Sequence, residues 1–245
     1  GEHPVNGYRW GEEAPNCTGY RGWSEVQVIP DDEFKTADMT KRDRGVEFID
    51  SYDAGEPFCL CVGYGYPHYP MRVSESAWKM YENVDIPEPV PAERYHPRNE
   101  HWCRNVWGFD RFSPEETRRS RRAYLAMVTM LDQWVGDLLA ALTRRGIMED
   151  TIVIYTSDHG DMWGEHGLWG KNLFYEPSSR VPLIVRAPKQ GAQRAARIPT
   201  PVSLVDMYPT LRDMAGVTDW DVPIDGRSLW DACRGKKQLT EEPVF

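Results

Sequence analysis

An aspartate and a histidine stand side by side just beyond a run of β-branched residues, in Ser157-Asp158-His159-Gly160-Asp161. Carboxylate and imidazole together are good ligands for a divalent cation. The glycine that follows permits the tight turn that would present them. Further along, Lys171 closes the stretch Gly164-Glu165-His166-Gly167-Leu168-Trp169-Gly170-Lys171. Its ammonium group would help hold a tetrahedral oxyanion and neutralise charge growing on a leaving oxygen. His166 shares that loop, and His68 lies between two prolines in Tyr66-Pro67-His68-Tyr69-Pro70. In a parallel sheet His68 can reach the same edge. Residue chemistry alone leaves two readings open. One is metal-dependent hydrolysis. The other is an ordinary hydrogen-bonded turn at Asp158-His159, a solvated Lys171, His68 packed on its flanking tyrosines, and Trp163 to Trp169 used for core packing. A polar loop with Arg94, His96, Arg98, His101 and Arg104 is either a solvated patch or a substrate-recognition loop.

These groups need elements to hold them. Thr151-Ile152-Val153-Ile154-Tyr155-Thr156 reads as a buried strand, and Pro182-Leu183-Ile184-Val185-Arg186 as a second. Phe58 to Tyr64 is a nearly continuous apolar run and reads as a third. The strongest helix runs from Ser113 to Gly146. Ser113-Pro114-Glu115-Glu116 is a capping box with proline at the first helical position. Tyr124, Met127, Val128, Leu131, Val135, Leu138 and Leu142 recur at three and four, as on one buried face. Arg144-Arg145-Gly146 supplies a basic carboxyl end and a capping glycine. A shorter helix is expected over Thr40 to Asp50, with Val46, Phe48 and Ile49 inward. Gly1 to about Pro30 reads as surface loop, and Ile86 to Pro91 as a proline-rich extended loop. Strands alternating with helices imply an α/β fold with a mostly parallel sheet. In such sheets ligands bind beyond the carboxyl ends of the strands, where Asp158 and His159 stand.

Composition narrows the function. The 245 residues carry 29 Lys+Arg against 38 Asp+Glu, a formal net charge of −9. That balance does not suit a nucleic-acid backbone binder. Hydrophobic residues make up 40% of the chain, which is globular rather than disordered. No run approaches about 18 consecutive apolar residues, so no membrane span is expected. Cys17, Cys59, Cys61, Cys103 and Cys233 are odd in number and scattered, which is no disulfide framework. Cys59 and Cys61 are expected as buried free thiols.

The stretch from Tyr155 through Lys171 closely resembles the carboxyl-terminal metal- and sulfate-binding segment of the sulfatases, within the alkaline phosphatase superfamily. The resemblance continues through Tyr175-Glu176-Pro177-Ser178-Ser179-Arg180-Val181-Pro182. It extends to Pro67-His68-Tyr69-Pro70 upstream, to Met130-Leu131-Asp132 with Val135-Gly136, and to Ser203 to Leu211 with Asp225-Gly226-Arg227. It implies an alkaline-phosphatase-like α/β/α sandwich with a mostly parallel sheet, incomplete at both ends. Residues 1–39 are loop-rich and 40–245 match the family.

By that resemblance, Asp158 and His159 are two ligands of a divalent cation, calcium first, with manganese, magnesium or zinc as alternatives. The Asp-His pairing is similar to that of choline-sulfatase-like and phosphonate-monoester-hydrolase-like members. Lys171 corresponds to the lysine on the sulfate and leaving oxygen. His68 corresponds to the histidine that helps protonate the leaving alcohol, and His166 is a further catalytic candidate. The family's Cys/Ser-x-Pro-x-Arg signature, the source of its formylglycine nucleophile, does not occur in this sequence, and Cys17-Thr18-Gly19-Tyr20-Arg21 has glycine in place of the proline. The expectation is a partial catalytic domain, inactive alone, from a hydrolase of small-molecule or saccharide sulfate esters. The alternatives are a phosphonate monoester hydrolase or phosphodiesterase, and a non-catalytic sulfatase-like binding domain.

Overall fold

A computed structural model describes residues 24–53, 55–91, 112–171, 173–193, 195–219 and 222–240. The chain forms two compact units. The first comprises residues 1–145 and 159–180, the second residues 146–158 and 181–245.

The first unit contains β1 (Gln27–Ile29), α1 (Ala37–Ser51), β2 (Arg72–Ser74), α2 (Glu75–Lys79), α3 (Pro114–Arg144) and the short α4 (Glu176–Ser179). β1 and β2 pair in parallel, with Gln27 opposite Arg72 and Ile29 opposite Ser74. β1 lies within the stretch expected as surface loop. It is only three residues long, too short for a periodicity signal.

α3 begins where its sequence says it must. Ser113 accepts from the Glu116 N–H at 3.1 Å, and Glu116 accepts from the Ser113 N–H at 2.8 Å. Its buried residues are the apolar Ala123, Ala126, Met127, Met130, Leu131, Trp134, Ala141 and Leu142, with Ser120 and Arg121 beside them. Val128, expected inward, is exposed. It follows Met127 by one residue, about 100° around the helix, and so leaves the stripe. By length and composition α3 could cross a bilayer. Here its apolar stripe packs with Phe34, Met71, Val73 and Ala77 in the core of this unit.

That core also takes in Met162, Leu168 and Trp169. The lysine-bearing loop is therefore anchored from within, as the core-packing alternative for this segment anticipated.

α1 carries Gly45 and Ile49 on its buried side, whereas Phe48 is exposed. Phe58 packs edge-on against Phe48 and Tyr52. Beyond it the expected strand over Phe58 to Tyr64 does not form. No strand among the described residues pairs with it, so its backbone lacks a ladder. Leu60 is 37% exposed, and Cys59 and Cys61 are exposed rather than buried. An apolar run signals burial only when a neighbouring strand supplies the other side.

The second unit holds β3 (Val153–Thr156), β4 (Leu183–Arg186), α5 (Met207–Met214) and α6 (Trp230–Cys233). Both expected strands form here and pair antiparallel, with Val153 opposite Arg186 and Thr156 opposite Leu183, but contrary to expectation neither is buried, and Ile184 is 60% exposed. A buried aspartate organises the rest. Asp206 accepts from the Ser203 N–H at 3.0 Å and the Arg227 N–H at 2.9 Å. Thr210 donates to the Asp206 carbonyl at 2.6 Å and accepts from the Leu229 N–H. These bonds explain why Ser203 to Leu211 and Asp225-Gly226-Arg227 occur as a pair of motifs.

Candidate active site

His68 sits in a tight loop flanked by two cis X–Pro bonds, Tyr66–Pro67 and Tyr69–Pro70. Its own N–H bonds back to the Gly65 carbonyl at 2.8 Å. The loop is fastened by Asp38, in the first turn of α1. One carboxylate oxygen accepts from both the Gly65 and Tyr66 N–H groups at 2.8 Å, and the other accepts from Lys41 Nζ at 2.8 Å. Asp38 is only 3% exposed.

The imidazole is oriented as well. His68 Nδ1 lies 2.8 Å from the Tyr69 carbonyl oxygen. A carbonyl only accepts, so this contact assigns the proton to Nδ1 and leaves the Nε2 lone pair free to accept. That lone pair faces Lys171, whose Nζ donates to it at 2.6 Å. The two side chains are far apart in sequence, and the structure brings them together. His159 joins them edge-on, its ring centroid 6.0 Å from that of His68. Its Nδ1 is bound in the same manner, 2.7 Å from the Gly160 carbonyl. Gly160 is required at that place, because a Cβ there would collide with the Pro177 carbonyl of α4.

The loop from Asp161 to Gly170 closes on itself. Asp161 accepts from the N–H groups of Trp163 at 2.8 Å and Gly170 at 3.2 Å, and the Met162 N–H bonds to the Gly170 carbonyl at 2.7 Å. Trp163 and His166 adopt positive φ, a conformation that residues with a Cβ rarely take. Met162 and Leu168 are fully buried.

His166 lies in the same loop as Lys171. Its ring stacks on Tyr175 at 4.7 Å, and its N–H donates to the Val90 carbonyl at 2.7 Å. Asp158 belongs to the second unit, just beyond β3, and is covalently joined to His159, where the chain re-enters the first. Among the described residues no group of three or more His, Cys, Asp or Glu side chains is placed to hold a metal. Cys17 and the His96 and His101 loop lie outside the described residues.

Sequence reading missed Asp38, Asp161 and Arg121. Asp38 reads as an ordinary acidic residue in a first helical turn, and Arg121 as one of several arginines on a polar stretch of helix.

Lys171, His68 and His159 thus lie together in the first unit, with Nδ1 of each histidine held by a backbone carbonyl. Comparison with known proteins names the class. The Sulfatase family profile matches residues 6–217, and the chain belongs to that family. It is 37% identical over 201 residues to a choline-sulfatase of Rhizobium meliloti (strain 1021), covering 79% of this chain and 38% of that protein. It superposes on the phosphonate monoester hydrolase of Agrobacterium radiobacter with a TM-score of 0.77 at 26% identity, over 87% of this chain and 45% of that one. A further structure, solved with its substrate D-glucosamine-2-N,6-O-disulfate, matches with a TM-score of 0.64 at 26% identity, over 83% and 53%. The α/β fold expected from the sequence is that of these proteins. The chain spans about two fifths of the length of the choline-sulfatase.

Proposed function

We propose that the whole protein hydrolyses a sulfate monoester, and that Lys171 and His68 act on the leaving-group side. The observation that carries this is the 2.6 Å contact between Lys171 Nζ and His68 Nε2. The ammonium group binds a sulfate oxygen and offsets charge growing on the bridging oxygen. His68 Nδ1 is committed to the Tyr69 carbonyl, so proton exchange falls to Nε2. A proton taken there from Lys171 passes to the departing alkoxide. His166 supports the loop through Tyr175 and Val90.

Asp158 and His159 are the residues of this chain that would hold a divalent cation, calcium first, with manganese, magnesium or zinc as alternatives. Such an ion would supply positive charge to the sulfate oxygens. The formylglycine nucleophile and the remaining ligands are assigned to the part of the whole protein that this chain does not span. The choline-sulfatase and the glucosamine-disulfate complex support a small-molecule or saccharide sulfate ester as substrate.

The second reading is a phosphonate monoester hydrolase. Its support is the imidazole at position 159, which suits manganese or zinc better than calcium, together with the TM-score of 0.77. Rates of the whole protein on phenyl sulfate and phenyl phosphonate separate the two. Faster turnover of the sulfate is expected. Faster turnover of the phosphonate would install the second reading, and turnover of neither would favour a non-catalytic domain.

A further inference from the structure

Lys171 is held at its place by a loop that would not choose its own shape. Trp163 and His166 both have positive φ, at 50° and 56°, without being glycine. Such conformations persist only where the surroundings over-determine them. The surroundings here converge on one residue of α3. The Arg121 side chain is only 4% exposed. Its guanidinium lies 3.8 Å from the Trp163 ring centroid. A single nitrogen, Nη1, donates to the Trp163 carbonyl at 2.7 Å and to Glu165 Oε1 at 2.9 Å. Glu165 uses its second oxygen to accept from the Val90 N–H at 2.7 Å. Arg121 therefore grips one strained residue by its face and carbonyl, and also the glutamate that precedes the other. The loop is closed at its base, because the Met162 N–H bonds to the Gly170 carbonyl and Asp161 bonds to the N–H groups of Trp163 and Gly170. A shift at Trp163 to Glu165 is passed on to Gly170, and Lys171 is the next residue.

We propose that Arg121 is a positioning residue for Lys171, setting its distance to His68 through Trp163 and Glu165. The proposal rests on the reading of Lys171 and His68 as a working pair. It deepens that reading by naming what holds the pair in register. Arg121 touches neither partner of the pair through any of these bonds. Its effect should be seen at His68 and not only as a loss of stability.

The test reads the His68 ring directly in the full 245-residue chain, with 15N-labelled histidine. The six histidines give few signals, and H68Q assigns the one of interest. K171A removes the donor to Nε2, and the shift of the Nε2 resonance in that variant defines the unpaired position. R121M is expected to move the resonance at least half of that distance. R121K keeps one nitrogen able to donate to both acceptors and is expected to restore most of the wild-type position. E165A, a milder cut into the same anchor, is expected to shift the resonance in the same direction, and it decides the matter if R121M does not fold. A lowered melting temperature in R121M and E165A with the His68 resonance unmoved would overturn the proposal, leaving Arg121 as a purely structural residue. If K171A itself leaves the resonance unmoved, the Lys171–His68 pair is refuted first, and the role of Arg121 falls with it.

Discussion

Asp38 offers the sharpest prediction from the packing around the site. Its carboxylate is almost fully buried and accepts two backbone N–H groups of the His68 loop at 2.8 Å each. Asp38→Ala leaves both donors without that acceptor. An unmet donor costs about 1–3 kcal/mol, toward the upper end when the lost acceptor was ionised. Gly65 is exposed, so water can replace part of its bond. The contact with Lys41 adds little, because that side chain is 44% exposed and such pairs are worth at most about 1 kcal/mol. The net loss comes to about 2–4 kcal/mol, nearer the middle of the two-donor range than its top. At about 2–4 °C per kcal/mol for a chain of this size, the melting temperature should fall by roughly 4–16 °C. Asp38→Asn keeps one acceptor oxygen and should lose about half as much. Thermal unfolding followed by circular dichroism reads the stability, and the labelled His68 ring reads the loop. Asp38→Ala melting within about 2 °C of wild type, with the His68 signal unchanged, would refute the assignment of Asp38 as the fastener of this loop.

Other consequences are open to simple measurement. Burial pushes the phenols of Tyr64 and Tyr66 up to about 12, so both should ionise well above the ordinary tyrosine value in a spectroscopic pH titration, and Y66F should remove one of these late steps. The folded state holds these protons more tightly than the unfolded chain, whose tyrosines ionise near their ordinary value of 10.0. Stability is therefore intact below that value and is lost as pH rises toward about 12; a melting temperature that is flat over this window would contradict the assignment. Gly226→Ala would drive a Cβ into the Val205 carbonyl and loosen the Asp206 bond to the Arg227 N–H, costing about 1–3 kcal/mol in urea titrations. Ser113→Ala removes one side of the capping box of α3 and should cost about 1 kcal/mol, checked in the same way.

What the sequence disclosed depended on the range of the interactions. The capping box at Ser113 and Glu116 is local, and α3 starts where its residues predict. β3 and β4 carry their β-branched runs and form at the expected places. Phe58 to Tyr64 carries the same kind of run and forms no strand, because pairing depends on a neighbour that the run itself does not encode. Lys171 and His68 stood out by type and setting, yet their contact spans more than a hundred residues and is visible only in three dimensions. Asp38 and Arg121 act on backbone groups of distant loops. Backbone acceptors and donors have no sequence signature, so nothing in the residues around position 38 or 121 marks either as special. Val128 lies off the stripe of α3, whose buried face is shared by alanines and Trp134 with the larger aliphatic residues.

Under the proposed function, Lys171 and His68 work as one proton-handling unit. A double-mutant cycle on the turnover of a nitrophenyl sulfate by the whole protein tests it most directly, with H68A, K171A and H68A/K171A compared as kcat values. Residues that act as a unit lose their effect together. Each single variant should fall by about 10²–10⁴-fold, the usual range for a positioned acid or base, and the double variant should be hardly slower than the worse single one. Losses that multiply in the double variant would show two independent residues. Either single variant turning over at the wild-type rate would refute the pairing of Lys171 and His68 outright.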